Sequence, residues 1–210
     1  MLSHQHKTIF IHIPKTAGQS IETLFLDDLG LKWSERASLL LRPNPNATLG
    51  PPRLAHLTIT EYLTCGYTSR PMFDHYFKFC FVRNPWDRAV SMYKYLANKT
   101  ETFEEFLTNG PGNPDSKLAY FFKPQTHYIL DPNKRVKVDF IGNFETLKED
   151  LDSIITRLHL NAKLKHVNSS RAIPSKTNAH CSYRDFYCQK TRKLIEKIYA
   201  SDAKTFNYEF

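Results

Sequence analysis

The stretch Thr8 to Ile21, TIFIHIPKTAGQSI, limits what this chain can fold into more than any other. Ile9, Phe10, Ile11 and Ile13 form a nearly continuous apolar run around His12, the pattern of a strand covered on both faces, which favours a parallel sheet. Pro14 stops the ladder and Gly18 permits a tight turn. Ser20, Ile21, Leu24 and Phe25 then open a helix with apolar spacing of three and four, ending near Gly30. A strand, a Pro-Lys-Thr-Ala-Gly turn and a polar helix start are the layout of a backbone cradle for a phosphate-like anion.

A second stretch, Cys80 to Leu96, repeats that logic with an arginine at the strand end. Tyr76 to Val82, YFKFCFV, is the strongest strand pattern in the chain, and Arg83 follows it. Asn84 can cap, Pro85 suits the first helical position and Asp87 suits the helix dipole. Trp86, Ala89, Val90, Tyr93, Leu96 and Ala97 recur at helical spacing, which leaves Arg88, Ser91 and Lys94 off the apolar stripe. Arg83 and Ser91 then meet at the mouth of one strand-helix junction. Two anion sites imply a ligand with two separated anionic groups.

Elsewhere the patterns are weaker. Arg36 to Arg53, rich in proline and asparagine, reads as a surface loop or lid. Leu54 to Leu57 reads as a short strand, followed by a Thr58 and Glu61 capping box for a helix over Ile59 to Leu63. Thr102 with Glu105 caps another short helix, and Asn109 to Asp115 is a breaker. Lys117 to Leu130 reads as helix in pieces and Val136 to Ile141 as a strand. Leu147, Leu151, Ile154, Ile155 and Leu158 mark an amphipathic helix. Asn168 to Asn178 is a polar, basic loop, and a helix over Tyr183 to Tyr199 precedes an aromatic tail. The alternation predicts an α/β, P-loop-like three-layer fold with a central, mainly parallel sheet flanked by helices.

The length of 210 residues suits a single domain over 1–210. Hydrophobic residues at 41% and charged residues at 24% are globular values. The net charge of +8 suggests an anionic ligand, but the charge is spread along the chain, so nucleic acid is not the expected partner. Cys65, Cys80, Cys181 and Cys188 form no metal-type pair, and no metal is expected. Cys181 and Cys188 are close enough in sequence to bridge in an oxidising compartment. No signal peptide or transmembrane anchor is read, which leads to the expectation of a soluble, cytoplasmic protein with reduced thiols and no membrane span. The oligomeric state is not legible.

The first turn is not a triphosphate loop of the form GxxxxGK[ST], because Lys15 precedes Gly18. Nor does a strand-borne acid stand ready for magnesium, as in that class of phosphoryl transfer. Pro14-Lys15-Thr16-Ala17-Gly18-Gln19-Ser20 instead resembles the 5′-phosphosulfate loop of 3′-phosphoadenosine 5′-phosphosulfate (PAPS)-dependent sulfotransferases. Arg83-Asn84-Pro85, with Arg88 and Ser91, resembles their 3′-phosphate site. The likeness is greatest to the carbohydrate branch that includes the heparan sulfate and chondroitin enzymes. It continues through Gln125 to Leu130, Val138 to Gly142 with Glu145, and Tyr199 to Phe210. Gln19 departs from the threonine or serine common at its position.

The resemblance implies PAPS as co-substrate and a hydroxyl-bearing acceptor, most naturally a carbohydrate. It implies Lys15 neutralising the leaving phosphate, and Thr16, Ala17, Gly18, Gln19 and Ser20 holding the 5′ group. Arg83 and Ser91 would take the 3′-phosphate, and a late loop with Ser170, Arg171, Ser175 and Lys176 would close on the adenine end. Of nine histidines, His56 fits the base before a short Thr-x-x-Glu helix, with Glu22 and Glu61 as alternatives. The competing readings are a nucleotide-dependent kinase of related fold and a non-catalytic module binding nucleotide or anionic glycan.

Overall fold

The computed structural model describes residues 1–98, 100–110, 119–162 and 182–210. In chain order the elements are β1 (Leu2–Ser3), β2 (Thr8–Ile11), α1 (Gly18–Asp28), α2 (Glu61–Thr64), α3 (Arg70–His75), β3 (Phe77–Val82), α4 (Pro85–Leu96), α5 (Phe103–Asn109), α6 (Gln125–Ile129), β4 (Phe140–Asn143), α7 (Leu147–Leu158), α8 (Gln189–Ile198) and α9 (Ala200–Phe206). The chain divides into two compact units, Met1–Val82 with His127–Val167, and Arg83–Thr126 with Asn168–Phe210.

The first unit is built on a mixed sheet of order β1-β2-β3-β4. β2, β3 and β4 run parallel, while β1 pairs antiparallel with β2. The residues before Thr8 thus supply an edge strand, with Leu2 opposite Ile9. Register places Phe10 beside Phe79, and their rings stack at 4.9 Å. On that face the phenylalanines pack with Ile21, Leu24 and Phe25 of α1 and Leu151 and Ile154 of α7. Ile9, Ile11, Cys80 and Val82, which alternate to the opposite face, are fully buried as well. Both faces are covered, which is why the strands read as continuous apolar runs. The mainly parallel α/β sheet expected from the sequence is present.

Three expectations in this unit change. Leu54 to Leu57 is a 3₁₀ turn over Leu54–His56 rather than a strand. Leu54 and Leu57, three apart, share one face in such a turn, and both are buried. The Arg36 to Arg53 segment is not a featureless loop: it holds 3₁₀ turns at Trp33–Leu39 and Ala47–Leu49, and an antiparallel bridge joins Pro43 to Arg53. The expected Val136 to Ile141 strand is displaced to β4, while Val136 bridges Leu130.

The second unit is helical and gathers Trp86, Ala89, Val90 and Met92 of α4 with Phe103, Phe106, Ile195 and Tyr199. The start of α4 follows its sequence signals, since Asn84 Oδ1 accepts the Trp86 and Asp87 amides at 3.0 and 3.2 Å, with Pro85 at the first position. Thr102 and Glu105 form the expected capping box on α5. The helix read over Tyr183 to Tyr199 is broken, because Thr191 Oγ1 accepts from the Cys188 amide at 3.0 Å and starts α8 afresh. The aromatic tail is in part α9, and the Phe210 ring packs edge-on against Trp86, Tyr183 and Tyr187.

Arg88 and Ser91, placed off the apolar stripe by spacing alone, are buried. Arg88 donates to the Phe121 and Lys123 carbonyls at 3.0 and 3.1 Å, and its guanidinium lies 5.5 Å from the centre of the Tyr199 ring. It is a structural arginine held by backbone carbonyls. Among the described residues no helix is long and apolar enough to cross a membrane.

Candidate active site

The turn between β2 and α1 is shaped by backbone. Lys15 and Ala17 both adopt left-handed conformations, with φ of 69° and 68°. Such a conformation costs a non-glycine residue about 1–2 kcal/mol, and two within three residues need support from their surroundings. Part of that support is Thr16, which is buried and donates its hydroxyl proton to the Ile13 carbonyl at 2.9 Å. The Thr16 side chain thus contributes to loop shape. Gly18 packs closely beside the His12 ring: a Cβ there would fall 2.0 Å from it.

The start of α1 carries neither a side-chain cap nor an acidic residue in its first turn. In the same unit α3 is capped by Ser69. A helix start whose positive end has no carboxylate or capping oxygen of its own, beside a half-buried lysine and a left-handed turn, suits an anion from outside. The residues present fit a phosphosulfate group on this ground.

His56 lies in the same unit and is buried. Its Nδ1 is 2.9 Å from the His12 carbonyl. A carbonyl can only accept, so Nδ1 carries the proton and the basic lone pair sits on Nε2. Burial holds the His56 pKa well below the usual histidine value, reinforced by the charge of His12. A ring that is neutral across neutral pH, with its tautomer fixed, can accept a proton. The two carboxylates considered as alternatives are engaged. Glu22 meets His12 Nδ1 at 2.5 Å, and Glu61 Oε2 accepts the Thr58 amide and hydroxyl at 2.6 and 2.8 Å.

In the second unit Arg83 is gripped by side chains. Its Nε donates to Asp87 Oδ2 at 2.7 Å, the capping ion pair that i,i+4 spacing allows. The same spacing puts Ser91 on the helix face where Asp87 holds the guanidinium. Gln125, fully buried, clamps the arginine backbone: its Oε1 accepts the Arg83 amide at 2.9 Å and its Nε2 donates to the Arg83 carbonyl at 2.8 Å. Asp202 in turn accepts the Gln125 and Thr126 amides at 2.7 and 3.0 Å. Asn84 Nδ2 donates to the Glu209 carbonyl at 2.9 Å, tying the α4 cap to the C-terminal segment.

Gln125, Asp202, His12 and Glu22 are the residues that sequence reasoning missed in these roles. Gln125 sits in a stretch with family likeness, but its partners are 42 and 77 residues away. His12 reads as one more strand residue. Ser170, Arg171, Ser175 and Lys176 lie outside the described residues, as does Cys181. Among the described residues no group of three or more metal-ligating side chains is found.

Comparison with known proteins gives matches of low identity. An uncharacterized protein of Archaeoglobus fulgidus is 32% identical over 99 residues, covering 45% of this chain and 78% of the relative. Carbohydrate sulfotransferase 9 of Homo sapiens is 27% identical, covering 63% of this chain and 38% of its own length. Carbohydrate sulfotransferase 11 of Rattus norvegicus is 23% identical, covering 99% of this chain and 66% of its own length. The chain thus spans less than two thirds of either sulfotransferase, and no solved structure matches it significantly. The sulfotransferase family model, however, matches residues 1–209, so the chain that carries this lysine loop and buried histidine belongs to the sulfotransferase family.

Proposed function

We propose that this protein transfers the sulfonate of PAPS to an acceptor hydroxyl, with a carbohydrate as the acceptor class. The observation that carries the reading is the α1 start, with Lys15 beside it and no side-chain cap or acid in its first turn. The acceptor class rests on the carbohydrate sulfotransferases among the relatives. When bound, PAPS supplies an electrophilic sulfonate on a phosphate leaving group. Lys15 stabilises the negative charge that grows on the leaving oxygens. The backbone of Thr16, Ala17, Gly18, Gln19 and Ser20, with the Ser20 hydroxyl, holds the 5′ group.

His56 takes the acceptor hydroxyl proton at Nε2. Arg83, oriented by Asp87 and by the Gln125 clamp, takes the 3′-phosphate with Ser91. Ser170, Arg171, Ser175 and Lys176 are assigned to the adenine end from family likeness, and no metal is given a role.

Calorimetric titration with 3′-phosphoadenosine 5′-phosphate and with the nucleotide lacking its 3′-phosphate tests the two-ended site. The former should bind at least about tenfold more tightly, and Arg83→Lys should erode the difference because a lysine cannot present the planar fork. Equal affinity for both nucleotides would remove Arg83 and Ser91 from the site. Incubation with labelled PAPS and a panel of oligosaccharides, lipids and small alcohols identifies the acceptor. Label appearing only outside the oligosaccharides would overturn the carbohydrate assignment.

A further inference from the structure

Two histidine rings stand side by side in the first unit, His12 and His56, with centroids 4.4 Å apart and both buried. Their surroundings differ. Glu22, itself buried on α1, meets His12 Nδ1, whereas the partner of His56 Nδ1 is the His12 carbonyl at 2.9 Å. A carboxylate stabilises an imidazolium, while a carbonyl orients a ring without demanding charge. Two positive rings at this separation inside a protein repel, so one of them holds the charge at the other's expense.

We propose that Glu22 and His12 form a positioning pair that reserves His56 as the neutral base: Glu22 assigns the positive charge to His12, and the His12 carbonyl fixes His56 with its lone pair on Nε2. The His12 ring also abuts Gly18, where a Cβ would fall 2.0 Å from Nε2, so the loop and the base lean on one side chain. The pair acts through His56 and the loop, and the inference rests on the base role given to His56 above.

The other ionisable groups facing the cluster are the Met1 amine, Tyr62, Arg53 and Glu61. Burial lowers the amine pKa to about 5 and pushes the Tyr62 phenol up, so neither carries charge at neutral pH. Arg53 opposes protonation of His56 in the same sense as His12. Glu61 is held by Thr58.

The test is a ¹⁵N-histidine NMR titration of the full chain and of Glu22→Gln, with His56 assigned from His56→Asn. In the wild type, His56 should stay in the neutral Nδ1–H form across neutral pH. In Glu22→Gln, His56 should protonate at a pH higher by about half a unit or more, and the acid limb of kcat/KM should move the same way. Glu22→Asp, which keeps the charge, should restore both. Superimposable His56 titrations in the wild type and Glu22→Gln would overturn the proposal and leave the pair a merely structural contact. If Glu22→Gln does not fold, the wild-type spectrum decides alone, and a His56 ring carrying both protons at neutral pH overturns it. The titrations need no turnover. Expected titrations without sulfonate transfer would therefore fault the catalytic reading, whereas transfer with unshifted titrations would fault this one.

Discussion

Under the proposed function, the loop at Lys15 and the segment at Arg83 prepare for negative charge by opposite means. The first is made of backbone: two left-handed residues, a glycine without room for a Cβ, and a helix start with no side-chain cap. The second is made of side chains, with Asp87 on the guanidinium, Gln125 on the arginine backbone and Asp202 behind Gln125. A backbone cradle fails when its shape changes, since its donors cannot be replaced one at a time. A side-chain clamp fails when one member is removed, because each buried partner left behind loses its hydrogen bond.

The largest effect should come from the cradle's one charged side chain. Lys15→Ala should lower turnover by about 10²–10³-fold, the usual loss of one charge-stabilising donor, with the melting temperature nearly unchanged because the lysine is half-buried. Steady-state kinetics beside thermal melts check this, and full turnover would remove Lys15 from the mechanism. Next is Gln125→Leu, which removes the Gln125 hydrogen bonds to both the amide and the carbonyl of Arg83. Urea unfolding should register a loss of about 2–4 kcal/mol, accompanied by weaker preference for the 3′-phosphorylated nucleotide. An unchanged preference would confine Gln125 to a stabilising role.

Gly18→Ala should cost about 1–3 kcal/mol by overpacking against the His12 ring, which Glu22 holds in place. Because the cradle is shape, turnover should fall with stability here. A variant as active as the parent would mean that the loop tolerates displacement. The smallest effect is on pH dependence. The His56 pKa is lowered in the folded state, so the unfolded chain binds its proton first as pH falls through about 6.5. The stability contributed by the neutral ring is present above that value and is lost as pH drops from it towards the lower folded value. Melting temperature measured against pH should therefore fall below about 6.5, and His56→Asn should flatten the slope. An identical slope in the variant would show that other groups set it.

Legibility in the sequence tracked how local the cause was. The β2 and β3 cores, the Asn84-Pro85 start of α4 and the Thr102 and Glu105 capping box were readable because each is decided within a few residues. The break before α8 was missed because Thr191, apolar spacing apart, looked like an ordinary helical residue until its hydroxyl was seen on Cys188. Leu54 to Leu57 misled because a run of four residues carries too little periodicity to separate a strand from a 3₁₀ turn.

Arg88 misled in a similar way. A charged residue off the apolar stripe is normally solvated, yet here backbone carbonyls from the segment around Phe121 and Lys123 satisfy it.

The sequence by itself determined the parallel α/β core, the lysine loop and the arginine after β3, since hydrophobic periodicity, turn chemistry and helix caps act over a turn or two of chain. Only the tertiary structure decided that Gln125 clamps Arg83, that Asp202 holds Gln125, and that Glu22 sits on His12 beside His56. Those arrangements join residues distant in sequence, or depend on which face of a helix turns inward, and packing settles both.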